Sequence, residues 1–462
     1  MKKTLMIGLP VVLVLILAYL GAGYYAGQQA LEFHYAAVTQ LNGINDLEAS
    51  VVSFNQGLFR SRALIKLTLF PLRHDRSISF NVVDTIYYGP FVFLHDKFFK
   101  GGLTPVKAVI RTQLAPDDPG LKKALEKVPA LASSEMLTVL SLGGGGVVSH
   151  VDIPSFQSKF TTRKGEPIEI KWGGLTSNFH LGGRSGDGSG VMDCPLLLIT
   201  GRNGQVRMDG MRGRFDSHAG MKGLGVGASV FSIRDIEAVQ NGQNIFKMES
   251  LDMKAQSGLD GGKINGSIRM GFKKIDTAVI AMGPFTMDME LKNLDAAVLA
   301  KIQKLAPALQ GEKLLKNDSK SGKLMKSLAK LGNDLIAARP VFELKQLDLR
   351  TSKGDLNGKA RLAFDSQGKD LLHNPLAILT SVDASTDLSM SQALFFFVAE
   401  NMLAKDEKSG LDQAKTDARQ LADRLISAKY MVSASGSFKA SASYQQGALT
   451  INGNRLGLSN LH

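Results

Sequence analysis

Apolar and polar residues alternate with a period of two along most of this chain, and glycines interrupt the alternation again and again. Ala63, Ile65, Leu67 and Leu69 are separated by Leu64, Lys66 and Thr68, the spacing that sends successive side chains to opposite faces of a strand. Asn55–Gln56–Gly57 follows the Val51–Phe54 run, so residues 47–69 read as a hairpin. Ser77–Tyr88, Pro105–Leu114, Ile168–Trp172, Gln205–Gly210, Phe246–Met253 and Ile264–Phe272 repeat the theme. Strand, glycine turn and strand recur at 250–270 (Gly258, Gly261, Gly262), 343–364 (Gly354, Gly358) and 431–453 (Gly436, Gly447). The 48 glycines follow no G-X-Y period, which excludes collagen. With 44% apolar and 21% charged residues, wholesale disorder is excluded as well.

Helical periodicity is confined mainly to the last third. Leu324, Leu328, Leu331 and Leu335 form one stripe, and Leu411, Ala414, Ala418, Leu421 and Leu425 another. Ser391 is placed to cap a short helix carrying Leu394 to Leu403. A chain of 462 residues exceeds one ordinary core. The patterning divides it into a β-rich region over 28–290 and a mixed helix and strand region over 291–462, packed on the same sheet system.

The first residues carry a different signal. Lys2 and Lys3 precede an uncharged stretch from Thr4 to Gln29 that is dense in Leu, Val and Ile. At about 1.5 Å per residue, Thr4 to Ala26 suffices for a hydrocarbon layer of roughly 30 Å. Tyr19, Tyr24 and Tyr25 gather at its far end, and the next basic residue is Arg60. That asymmetry puts the N-terminus in the cytoplasm and everything after residue 27 across the membrane. Ala18–Leu20 and Ala22–Gly23 leave cleavage as an alternative. Residues 1–27 thus read as a cytoplasmic tip and signal anchor, with 28–46 as a short stem. The expected fold class is mainly β with a few helices (α+β): large curved antiparallel sheets, preceded by one N-terminal transmembrane helix.

Catalytic and metal signatures are scarce. Cys194 is the only cysteine, which rules out an intramolecular disulfide or a thiolate zinc cluster. None of the eight histidines makes an H-E-x-x-H or H-x-H pair. Ser327–Lys330 satisfies S-x-x-K without S-D-N or K-T-G partners and reads as a solvated helix face. Gly223, Gly225 and Ala228 fit G-x-G-x-x-A, but the strand-like Ser229–Ile233 follows where a phosphate-binding helix would start. No catalytic, cofactor-binding or metal-binding residue and no cofactor are expected.

Charge supplies one candidate. The chain carries a net +13, and between 301 and 330 eight lysines face only Glu312 and Asp318. Beside the Leu324/Leu328/Leu331 stripe they suggest an amphipathic basic helix, with Lys316, Lys320, Lys323 and Lys330 as contacts to anionic lipid. A solvated face whose leucines pack on the sheet is the competing reading. Nucleic acid is not expected, since no aromatic residues interleave the lysines.

Several stretches together resemble the YdgA/YihF family of uncharacterised bacterial envelope proteins, a domain of unknown function. They are Tyr25–Ala26–Gly27–Gln28, Asn55–Gln56–Gly57–Leu58–Phe59–Arg60–Ser61, Tyr87–Tyr88–Gly89–Pro90–Phe91, Asn293–Leu294–Asp295, and the run from Tyr444 to Gly453. Tyr88 stands where that family usually has histidine. The resemblance implies a Gram-negative inner membrane and a periplasmic domain, and it brings no catalytic residues. From the residues themselves, Gly57 and Gly453 are expected to supply positive-φ turns and Gly89–Pro90 to end a strand. The leading expectation is a non-enzymatic module that binds an envelope ligand such as lipid or another hydrophobic molecule. The alternatives are a scaffold contacting envelope proteins, or itself, through sheet edges, and a hydrolase whose site is assembled from distant residues.

Overall fold

Strand Arg60–Leu69 shows what the alternation dictates: Ser61, Ala63 and Ile65 are buried while Arg62 and Lys66 are exposed. The computed structural model describes residues 27–456 except 29–30, 33, 37, 40, 43–46, 71–76, 89–91, 94–102, 105, 116–117, 142–145, 162–164, 183–186, 222–223, 311–317, 366–379 and 405–410. The chain divides into two compact units, Met1–Asp216 and Ser217–His462. The division falls inside strand Gly204–Ala219, and the antiparallel ladder of the second unit continues through residue 290.

Among the described residues of the first unit the strands pair antiparallel. Leu47–Asn55, Arg60–Leu69, Ile78–Tyr88, Val106–Leu114, Glu135–Ser141 and Val147–Ile153 pair each with the next. Val147–Ile153 then pairs Leu175–Leu181, which leads through Gly188–Gly201 and Pro167–Trp172 to Phe156–Thr161. The middle of this ladder is buried on both faces. Ile86, Tyr88, Ala108, Ile110 and Leu140 form one cluster, and Val106, Val109, Leu137 and Val139 another.

The residues expected to form a stem do something else. Helical residues between 27 and 41 lie on the sheet, with Val38 in a cluster with Ala49, Ile65 and Val82. Gly27 sits so close to the Tyr88 ring that a Cβ would collide with it. A segment with buried apolar residues at helical spacing gains more by covering the sheet than by staying extended in water.

Cys194 is 1% exposed on strand Gly188–Gly201. Serine is nearly isosteric but more polar, so Cys194→Ser should cost about 1–2 kcal/mol. Urea denaturation would read this, and in native protein the thiol should be inert to alkylating reagents.

The second unit is a meander: Gly225–Gln240, Gln243–Asp260, Lys263–Phe272, Ala281–Asp295, Val341–Thr351, Gly354–Phe364, Val382–Ser391, Ser437–Gln445, Ala448–Ile451 and Asn454–Leu456. Asn241–Gly242, Gly261–Gly262, Ser435–Gly436, Gln446–Gly447 and Asn452–Gly453 have positive φ at both positions. This is the two-residue I′ geometry that matches strand twist. Gly258 and Gly358, expected in turns, lie inside strands. Helices Ala296–Gln310 and Asp318–Ala337 follow Asp295 and pack on each other. Gln392–Leu403 and Leu411–Ser427 enclose Phe438 with Phe395, Phe396, Leu425 and Ile426. Ser391 does stand at the N-cap position, but its hydroxyl donates to the Lys353 carbonyl (3.4 Å) and not to the helix.

The β-rich, antiparallel part of the expected fold class is what the structure contains. The transmembrane helix is overturned: among the described residues no helix is long and apolar enough to cross a membrane. Asp318–Ala337 has 20 residues but carries lysines, and the apolar Gln392–Leu403 has only 12, whereas spanning takes about 20 apolar residues. The single-pass inner-membrane placement, with a periplasmic bulk, falls with it. The Thr4–Ala26 segment that suggested both lies outside the described residues.

Candidate functional site

Two places combine unusual features, one in each unit. In the second unit, strand Gly354–Phe364 alternates strictly: Leu356, Gly358, Ala360 and Leu362 are half-buried, while Asp355, Asn357, Lys359 and Arg361 are exposed. Register carries this pattern across neighbouring strands. Leu291, Phe342, Leu362, Ala384, Tyr444 and Leu449 are successive cross-strand partners. Met289, Leu344, Ala360, Thr386, Ala442 and Ile451 form the adjacent row on the same face. Where both rows pass through small side chains, at Ala360, Ala384 and Ala442, the surface sinks into a cavity of about 440 Å³. Phe342 and Leu362 wall one end, Tyr444 and Leu449 the other.

A β-bulge at Lys345–Gln346 interrupts the register of Val341–Thr351 with both neighbours. Such bulges bend a strand and raise its twist, so the sheet curls beside the trough. The intervening row, Glu290, Glu343, Arg361, Ser385 and Ser443, points to the opposite face because side chains alternate. Its charges satisfy one another there: Lys292 lies 2.8 Å from Glu290 and 3.1 Å from Glu343, and Arg361 lies 3.0 Å from Asp383. Lys292 first, then Lys345, holds the Glu290 carboxyl below the usual range. The trough itself is thus mainly apolar; the Thr386 hydroxyl donates to the Lys359 carbonyl (3.1 Å), which leaves one polar handle. The Tyr444 hydroxyl is buried and has no hydrogen-bond partner among the described residues.

In the first unit a polar seam runs beneath the helical residues 27–41. Ser61 Oγ lies 3.0 Å from Tyr88 Oη, which donates to the Gly57 carbonyl. The Tyr88 amide donates to Phe59 O (3.1 Å), and the Arg60 guanidinium lies over the Tyr87 ring at 5.6 Å. Three of the sequence motifs therefore converge on Tyr88. Gly57 does not have positive φ, contrary to expectation; a Cβ there would strike the Arg60 carbonyl. Gly89–Pro90–Phe91 lies outside the described residues. Farther along the same face, His34 (2% exposed) meets Asp84 (5% exposed), with Nδ1 3.5 Å from Oδ2. No sequence signal pointed to this pair, since its members are fifty residues apart and neither belongs to a motif.

Of the lysines proposed from the sequence, only the Lys330 side chain is described, and it is not among the residues that line the trough. Lys316 lies outside the described residues; Lys320 and Lys323 belong to helix Asp318–Ala337, and Lys330 is exposed on it. On that helix Leu331 is buried and Leu328 and Leu335 are half-buried. Among the described residues no group of three or more His, Cys, Asp or Glu side chains is placed to hold a metal.

A family model described as a bacterial protein of unknown function (DUF945) matches residues 1–459. No curated protein and no solved structure matches the chain.

Proposed function

Since the chain belongs to the DUF945 family of bacterial proteins of unknown function, we propose from its geometry that it is a non-enzymatic module that seats the acyl chain of a lipid in the trough of the second unit. Its motif match to YdgA/YihF proteins forms part of this reading. The observation that carries it is the pair of apolar rows in register over six strands, sunk at Ala360, Ala384 and Ala442 into about 440 Å³. That volume falls within the range of about 300–1,000 Å³ of small-molecule sites. Five interstrand spacings of about 4.8 Å make the rows about 24 Å long, a narrow shape suited to a hydrocarbon chain and poorly suited to a compact ligand.

Energetics point the same way. Phe342 is 36% exposed, and each Å² of such surface taken from water is worth about 25 cal/mol. Glu290, Glu343 and Arg361 border the cavity, but alternation turns their side chains to the opposite face, where Lys292, Lys345 and Asp383 pair with them. A lipid chain therefore removes that surface at little cost in desolvated charge. Its polar end has a partner in the Tyr444 hydroxyl. The test is native mass spectrometry of the purified protein followed by organic extraction. A hydrophobic molecule released in near-stoichiometric amount is the expected result. An empty protein that also fails to bind a fluorescent long-chain fatty acid saturably would overturn the reading.

A further inference from the structure

The seam between the helical residues 27–41 and the sheet of the first unit encloses two ionisable side chains. His34 Nε2 and Asp84 Oδ1 are both buried without a hydrogen-bond partner among the described residues. An imidazolium here would leave a charged N–H unsatisfied, and a carboxylate would leave a charged oxygen unsatisfied. Burying either is costly, and a 3.5 Å contact between the two, with the Thr112 hydrogen bond to Asp84, is poor repayment.

Among the described residues the surroundings supply no other charge. Of the described helical residues, the ionisable Glu32 and Tyr35 are both exposed. On the sheet, Ala63, Ile86 and Ile110 are buried neighbours on the same face, and Tyr88 and Ser61 engage each other. The Phe54 ring lies 6.0 Å from His34. Arg111 lies 3.7 Å from Glu135, and both alternate to the opposite face from Thr112.

We infer that docking of the helical residues 27–41 onto the sheet moves one proton from His34 to Asp84, so that both side chains enter the seam uncharged. The His34 Nδ1–H bond breaks, the Asp84 Oδ2–H bond forms, and no proton is exchanged with solvent. The shifts of the two groups agree with this. Burial pulls His34 below its ordinary value of 6.5. Burial pushes Asp84 up to about 6 from 3.8, against a smaller opposing effect of its Thr112 hydrogen bond. Undocked, between those ordinary values, His34 is protonated and Asp84 ionised; docked, between the lowered His34 value and about 6, neither is charged. Both states then hold one proton, so the docking equilibrium does not change with pH in that window. The pair makes attachment of the helix indifferent to pH, which neither residue would do alone.

Each single variant should expose the slope that its partner cancels. In Asp84→Asn, His34 must give its proton to solvent. Docking should strengthen by up to tenfold per pH unit as pH rises toward 6.5. In His34→Gln, Asp84 must take a proton from solvent. Docking should weaken by up to tenfold per unit as pH rises from 3.8 to about 6. Hydrogen-exchange protection of the amides at residues 34–39, corrected for intrinsic rates, reads both slopes and the flat wild type. Slopes of the same sign, or none in either variant, would overturn the inference. Should a variant fail to fold, the full-length wild type still decides. With ¹⁵N-labelled histidine at about pH 5.5, His34 should read as neutral imidazole. An imidazolium signal from His34 would mean a buried ion pair and no transfer.

Discussion

Ile86→Ala is expected to destabilise the first unit by about 2–5 kcal/mol. Ile86 is 0% exposed and packs with Tyr88, Ala108, Ile110 and Leu140, with Phe54 and Val147 closing around them. Removing three carbons leaves a cavity that the paired strands on either side cannot collapse to fill, because their register is fixed by the ladders. Trp172, the only tryptophan, lies in the same unit, so its fluorescence in urea reports on that unit. Leu362→Ala supplies the contrast. Leu362 belongs to the trough and is only half-buried, so truncation should cost about 1 kcal/mol or less. If Leu362→Ala cost as much as Ile86→Ala, the trough would be core and not a binding surface.

The second large effect is on binding. Ala384 lies between Leu362 and Tyr444 in the row that forms the trough, so Ala384→Phe should fill the space a ligand chain needs. Aromatic residues suit strands, and Ala384 is half-buried beside open volume, so the fold should tolerate the ring. The expected result is at least a tenfold loss of affinity for a fluorescent long-chain fatty acid, about 1.4 kcal/mol, with an unfolding transition little changed. Asp387→Phe, exposed on the same strand and outside the cavity lining, should leave affinity unaltered. Equal losses in both variants would show that the trough plays no special part.

Much of this architecture is legible in the residues because local rules and tertiary packing agree. The alternation in Arg60–Leu69 and Gly354–Phe364 reports which face is buried, and the glycines at 261, 262, 436, 447 and 453 occupy I′ turns. The disagreements have physical causes. The helix below residue 42 hides within a stretch whose apolar run suggested a stem leading from a membrane anchor; its partner surface is a sheet built from residues 49–110. Gly57 is needed for close approach of the Arg60 carbonyl, which no local pattern reveals. The trough was invisible for a related reason. Ala360, Ala384 and Ala442 are unremarkable one at a time, and only the register of three strands places them side by side.

The central claim is that a lipid chain occupies the trough. Photo-crosslinking with a long-chain fatty acid carrying a diazirine near its methyl end, followed by peptide mapping, tests it most directly. Labels should concentrate at Phe342, Leu344, Leu362, Ala384, Ala442, Tyr444 and Leu449, which line the cavity, and should disappear when unlabelled fatty acid is added in excess. Labels scattered over the exposed apolar residues of both units, or concentrated at Lys320, Lys323 and Lys330 and insensitive to competitor, would contradict it.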